Sequence, residues 1–173
     1  MPKPSTLLDG SETISAENLY TLDINRQKDK TLILMRLLIP QVNTKHFPMT
    51  QQLLKLYLPS IFRATCYNDD GFPFPKEVCH TEVGHLFEHI LLEYLCIVKL
   101  ENGVDQASYE GVTDWNWVRD PKGTFHITIH AQEEELQFFG EALNRAVILT
   151  NIILTNDTTV RTDLPIPAHT TRH

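Results

Sequence analysis

VGHLFEHILLEYLCIVKL, residues 83–100, is apolar nearly all the way round, yet it carries two histidines and two glutamates. Such a stretch reads as a buried helix, near 81–99, and a buried helix needs a sheet or further helices to cover it. Upstream, TLILMRLLI (31–39) is a continuous apolar run that ends at Pro40, the pattern of a buried central strand. Residues 50–58 place Leu53, Leu54, Leu56 and Tyr57 at helical spacing, with Thr50 as N-cap and Pro59 closing the helix. A short apolar segment, 61–66, reads as a strand ending at Cys66, and YNDDGFPFPK (67–76) is a loop feeding the helix. Downstream, 111–118 and 124–130 alternate around Asp120-Pro121-Lys122-Gly123 as a β-hairpin. Residues 133–154 form a long amphipathic helix with Glu133, Glu134 and Glu135 at its N-terminal end. The first thirty residues are polar, with one short strand around 19–24.

Strands and helices interleave, so the expected fold class is α/β (α+β), a single two-layer sandwich of a mixed β-sheet with helices packed on it. The domain is expected over 17–155, after a polar segment at 1–16 and before a flexible tail at 156–173. At 173 residues, 42% hydrophobic and 21% charged, the chain suits one globular domain. A net charge of −7 without a basic block argues against nucleic acid or an anionic membrane as partner. The N-terminus has no apolar signal region and no run is long enough to span a bilayer, so a cytoplasmic location is expected. Cys66, Cys79 and Cys96 form no C-x-x-C, which argues against a disulfide framework. Self-association is left open.

Within the helix, His85, Glu88 and His89 read H-x-x-E-H. Residues at i and i+4 project from one helix face with Cβ atoms about 5–6 Å apart, so two imidazoles can hold one metal ion. Glu88 lies at the edge of that face, the inverted zincin arrangement. Zinc there would lower the pKa of a water toward about 7, and Glu88 would take its proton as general base in a hydrolysis. Five residues of common types can match by chance. Against that, burying two His together with Glu88 and Glu93 is costly unless something uses their lone pairs.

A catalytic zinc takes a third protein ligand. Cys66 is the leading candidate, since it precedes the loop into the helix and a thiolate binds zinc well. Cys79 and His80 are runners-up, Asp69 and Asp70 are read first as turn formers, and Cys96 as core packing. Glu93 can serve as acceptor for an imidazole N–H or stand in solvent. His46, His126 and His130 are read as non-ligands. Trp115 and Trp117 alternate on a strand, so both would face one side of the sheet as core or groove wall.

The order TLILMRL, LPSIFRATC, VGHLFEHILLEYL and FHITIHAQEEE resembles the N-terminal domain of cyanophycin synthetase over roughly residues 17–155, and its most specific piece is G-H-x-x-E-H. The resemblance implies a metal-dependent hydrolase in some members and a binding or structural role in others. It matches the family's Cys to Cys66, its two His to His85 and His89, and its Glu to Glu88. The chain lacks the ligase domains that follow in the synthetase, so a standalone domain is expected. Where the family carries an Arg-rich stretch, this chain has Gly111-Val112-Thr113-Asp114.

The leading expectation is a standalone zinc hydrolase of peptide or isopeptide bonds, with one zinc on His85, His89 and Cys66, and Glu88 as general base. Its substrate would be a small peptide or isopeptide. The alternative is a non-catalytic binding or scaffold domain whose metal site is structural or vestigial. A metal-dependent lyase, of the kind that cleaves ribosylated thioethers with the same motif, ranks last.

Overall fold

The structure, a computed structural model, describes residues 11–66, 71–131 and 137–157. Three strands come first, β1 (Ser11–Ala16), β2 (Tyr20–Arg26) and β3 (Lys30–Leu37). A helical stretch follows, with α1 (Thr50–Tyr57), a 3-10 turn (Pro59–Arg63), the single-turn α2 (Phe74–Glu77) and α3 (Val83–Glu101). The chain then adds β4 (Glu110–Asp114), β5 (Thr124–His130) and α4 (Phe139–Thr155). The α+β class is as expected. The strands form one sheet in the order β1-β2-β3-β5-β4, and each of these pairings is antiparallel, where a mixed sheet was expected. β1 with β2, β2 with β3 and β4 with β5 are joined by short connections, which admit only antiparallel pairing.

The strand expected near 19–24 is β2, and Ser11–Ala16, expected outside the domain, is its edge partner β1. The turn between them takes positive φ at Glu17 and Asn18 (44° and 63°), closed by Leu19 N–H donating to the Ala16 carbonyl at 2.7 Å. No glycine marks that turn, so the hairpin leaves little trace in composition.

One sheet face makes the core. Tyr20, Leu22 and Ile24 of β2, Ile33 and Met35 of β3, and Phe125, Ile127 and Ile129 of β5 are buried against Leu86, Phe87, Ile90 and Leu91 of α3 and Ala142, Ala146 and Leu149 of α4. The Tyr20 and Phe87 rings meet edge-on with centroids 6.2 Å apart. On the other face Leu32 and Leu34 are only half-buried. β3 is thus central in the sheet, but its continuous apolar run is fully covered on one side only.

Residues 61–66, expected as a strand, instead finish the 3-10 turn at Arg63 and run on as irregular chain, which leaves Cys66 outside the sheet. Thr50 stands inside α1, with Met49 as N-cap, and donates to the Phe47 carbonyl at 2.6 Å. The strand expected over 111–118 ends at Asp114. Trp115 and Trp117 therefore sit in the loop to β5, and both meet the Phe125 ring edge-on, at 5.9 and 5.7 Å. Glu133, Glu134, Glu135, Asp69, Asp70 and the tail beyond residue 157 lie outside the described residues. Among those described, no helix is long and apolar enough to cross a membrane.

α3 sits close on the sheet because its second residue is glycine. A Cβ on Gly84 would stand 2.7 Å from Phe125 Cβ and nearer still to the ring carbons, well inside van der Waals contact. This approach sets the rotation of the whole helix about its axis.

Candidate metal centre

At about 100° per residue, the contact of Gly84 with β5 places every other residue of α3. Glu88 lies about 40° further round and His85 and His89 about 100° and 140° round, past the last strand of the sheet. The contacts agree with this wheel. Glu88 meets β4, where Thr113 Oγ1 donates to its Oε2 at 2.5 Å. Beside it, a Cβ on Gly111 would come within 3.0 Å of Glu88 Cγ, so glycine at this position leaves the carboxylate its room.

His85 and His89 meet the segment that holds Cys66. The two Nε2 atoms are 3.1 Å apart, Cys66 Sγ lies 3.6 Å from His85 Nε2, and the three donor atoms all fall within 4.8 Å of one another. Tetrahedral zinc bonds of about 2.0–2.1 Å to nitrogen and about 2.3 Å to sulfur place two nitrogens ~3.3 Å apart and nitrogen and sulfur ~3.6 Å apart. The imidazole pair and the pair of Cys66 with His85 stand near those separations, and Cys66 and His89 lie within 4.8 Å of each other, so the three are the residues that would hold such an ion. Phe74 of α2 closes one side, its ring centroid 4.3 Å from that of His89.

Burial acts on all three groups of the motif. It holds the His85 imidazole below its usual range and, with His85 alongside, pushes His89 down to about 3. Neutral imidazoles keep the lone pairs that a cation needs. Burial raises the Glu88 carboxyl to about 7, against the hydrogen bond from Thr113, which pulls it down.

No family model, curated protein or solved structure matches this chain.

The other sequence candidates are placed elsewhere. Cys79 and His80 are exposed, and the His80 ring packs on Phe72 with centroids 6.1 Å apart. His46 and His130 are exposed, and His126 pairs with Asp120 at 3.0 Å. Cys96 lies further along α3, half-buried. Glu93, four residues after His89, is half-buried, and the imidazole of His85 finds its partner in another residue. There Thr81, fully buried, brings Oγ1 to 2.7 Å from His85 Nδ1. Thr81 is itself clamped, since its N–H donates to Thr44 Oγ1 at 2.9 Å and its carbonyl accepts from Thr44 N–H at 2.8 Å.

A metal on Nε2 would leave the proton on Nδ1, whose N–H would then donate a hydrogen bond to Thr81 Oγ1 and fix both tautomer and ring angle. Thr81→Val keeps the shape and removes the acceptor, so zinc affinity is expected to fall about 10–100-fold, with Thr81→Ser close to wild type. Competition with a chromophoric chelator measures this, and an unchanged affinity in the valine variant would show that Thr81 only packs.

Proposed function

We propose that this protein is a metal-dependent hydrolase of peptide or isopeptide bonds, holding one zinc through Cys66, His85 and His89, with Glu88 as general base. The observation that carries this reading is the separation of the donors, 3.1 Å between the imidazole nitrogens and 3.6 Å from thiol to imidazole, matched to tetrahedral zinc. Zinc, when bound, supplies Lewis acidity that polarises a carbonyl and lowers the pKa of a water toward about 7. Glu88, held by Thr113 and given room by Gly111, accepts the proton of the attacking water and returns it to the leaving amine. The buried wall of Phe74 limits solvent at His89. The order of motifs resembles that of the N-terminal domain of cyanophycin synthetase, and the same reaction class is one of the two roles that this resemblance implies. A cytoplasmic setting belongs to this reading, because Cys66 must stay reduced to serve as a ligand.

The competing reading, a structural zinc in a scaffold domain, calls for a closed set of four ligands. Among the described residues three donors converge, and Cys79 and His80 stand exposed outside them.

The test is metal content, measured on protein purified without added metal or a histidine-rich tag. Wild type is expected to carry about one equivalent of zinc and His89→Ala less than about a tenth of that. Chelation should abolish cleavage of a peptide and isopeptide panel and zinc should restore it. Wild-type protein that takes up no zinc would overturn the reading.

A further inference from the structure

We propose that the outer edge of β4 is the docking strand for an extended polypeptide, which joins the sheet as a sixth strand beside Glu88, on the side of α3 that carries His85. This rests on the hydrolase reading and narrows its substrate to unfolded main chain.

Three observations support it. The first is that β4 is the last strand in the order β1-β2-β3-β5-β4, and the described residues place no strand beyond it. An edge strand presents a row of N–H and C=O groups ready to pair with another chain. Glu110–Asp114 contains neither proline nor lysine, the residues that most often block such pairing, and Val112 is 58% exposed.

The second observation is continuity with the site. Gly111 and Thr113 of this same strand are the residues against Glu88, so a chain paired to β4 starts beside the general base. The third is the order in which strands meet α3. β5 lies over Gly84 and β4 over Glu88, one strand step and about 40° of helix rotation apart. The next strand position, about 4.7–4.9 Å beyond β4, lies on the side of α3 that carries His85. An extended peptide there brings successive carbonyls along the helix side that bears Glu88 and His85, at a register set by backbone hydrogen bonds. At the opposite edge, β1 carries the Glu12–Arg26 ion pair at 3.4 Å and has no donor cluster among the described residues beside it. Main-chain pairing gives affinity with little demand on sequence. An isopeptide branch has no continuous strand to offer.

The experiment uses zinc-loaded Glu88→Gln protein, which holds peptide without cutting it, and a mixture of blocked random decapeptides as probe. Amide hydrogen exchange at 110–114 is followed with and without probe. Expected is a slowing of about tenfold or more at alternate residues of β4. N-methylation of a bound peptide should weaken binding at every second amide and leave the intervening ones nearly neutral, the period that strand pairing imposes. Zinc-loaded protein that binds or cleaves peptide with β4 exchange unaltered overturns the docking strand and leaves the hydrolase standing. The same holds if only isopeptide probes are bound, or if β4 is already protected in free protein by a second copy or another segment. Absence of zinc from wild type removes both.

Discussion

Glu88→Gln keeps its zinc at about one equivalent and loses about 10²–10⁴-fold in kcat/KM, the usual worth of a positioned general base. The amide matches the carboxylate in shape, and its carbonyl oxygen can still accept from Thr113, whose hydroxyl lies 2.5 Å from Glu88 Oε2. The metal ligands are untouched, because Cys66, His85 and His89 converge without Glu88. Nor should folding suffer, since a neutral amide at this buried position avoids the desolvation that raises the Glu88 carboxyl to about 7. Steady-state kinetics and metal content on the same preparation decide the matter. Equal activity in the glutamine variant would remove Glu88 from the chemistry, and loss of zinc would make it a metal ligand instead.

The second large effect is on stability, and it concerns the contact that orients the site. Gly84→Ala places a methyl against the Phe125 ring and 2.7 Å from Phe125 Cβ. The near end of a side chain anchored in β5 cannot swing aside as a lysine tip would. Overpacking of this kind costs about 1–3 kcal/mol, which outweighs the gain of up to ~1 kcal/mol from replacing a helical glycine. Phe125→Ala, which empties a fully buried ring position beneath Trp115 and Trp117, costs about 3–5 kcal/mol. Together the two should cost less than their sum by about 1–3 kcal/mol, because the methyl added at position 84 enters space the ring has left. Urea unfolding of the four proteins gives the coupling. Costs that add within about 0.5 kcal/mol would mean that α3 and β5 do not meet as described.

Much of this arrangement is legible in the chain itself. Apolar runs and helical spacing locate α1, β3, α3, β5 and the main part of α4, and the i, i+4 rule places His85 and His89 together. Thr81 is equally accessible, one turn ahead of His85, yet a threonine before a helix reads first as a local backbone partner. Cys66 stands out for its position before the loop, on the expectation of a strand. The structure brings it to His85 through a 3-10 turn instead. What no local pattern can reveal is the pairing of Glu88 with Gly111 and Thr113. That contact depends on β4 lying outside β5 in the strand order, a property of the whole sheet. β1 escapes notice for a different reason, since Glu17 and Asn18 make its turn without glycine.

The strand order also separates two demands that the site makes on the chain. The three donors belong to one stretch, residues 66–89, and close over a short loop. β4 is held in the sheet through β5, and β5 through β3, in a register that joins Lys30 to His130. Contacts between residues so far apart in sequence are the slow ones to form. Gathering the donors draws on one stretch of the chain. Placing Thr113 and Gly111 at Glu88 draws in addition on a sheet assembled from both halves of the chain, so holding an ion and using it make different demands on the fold.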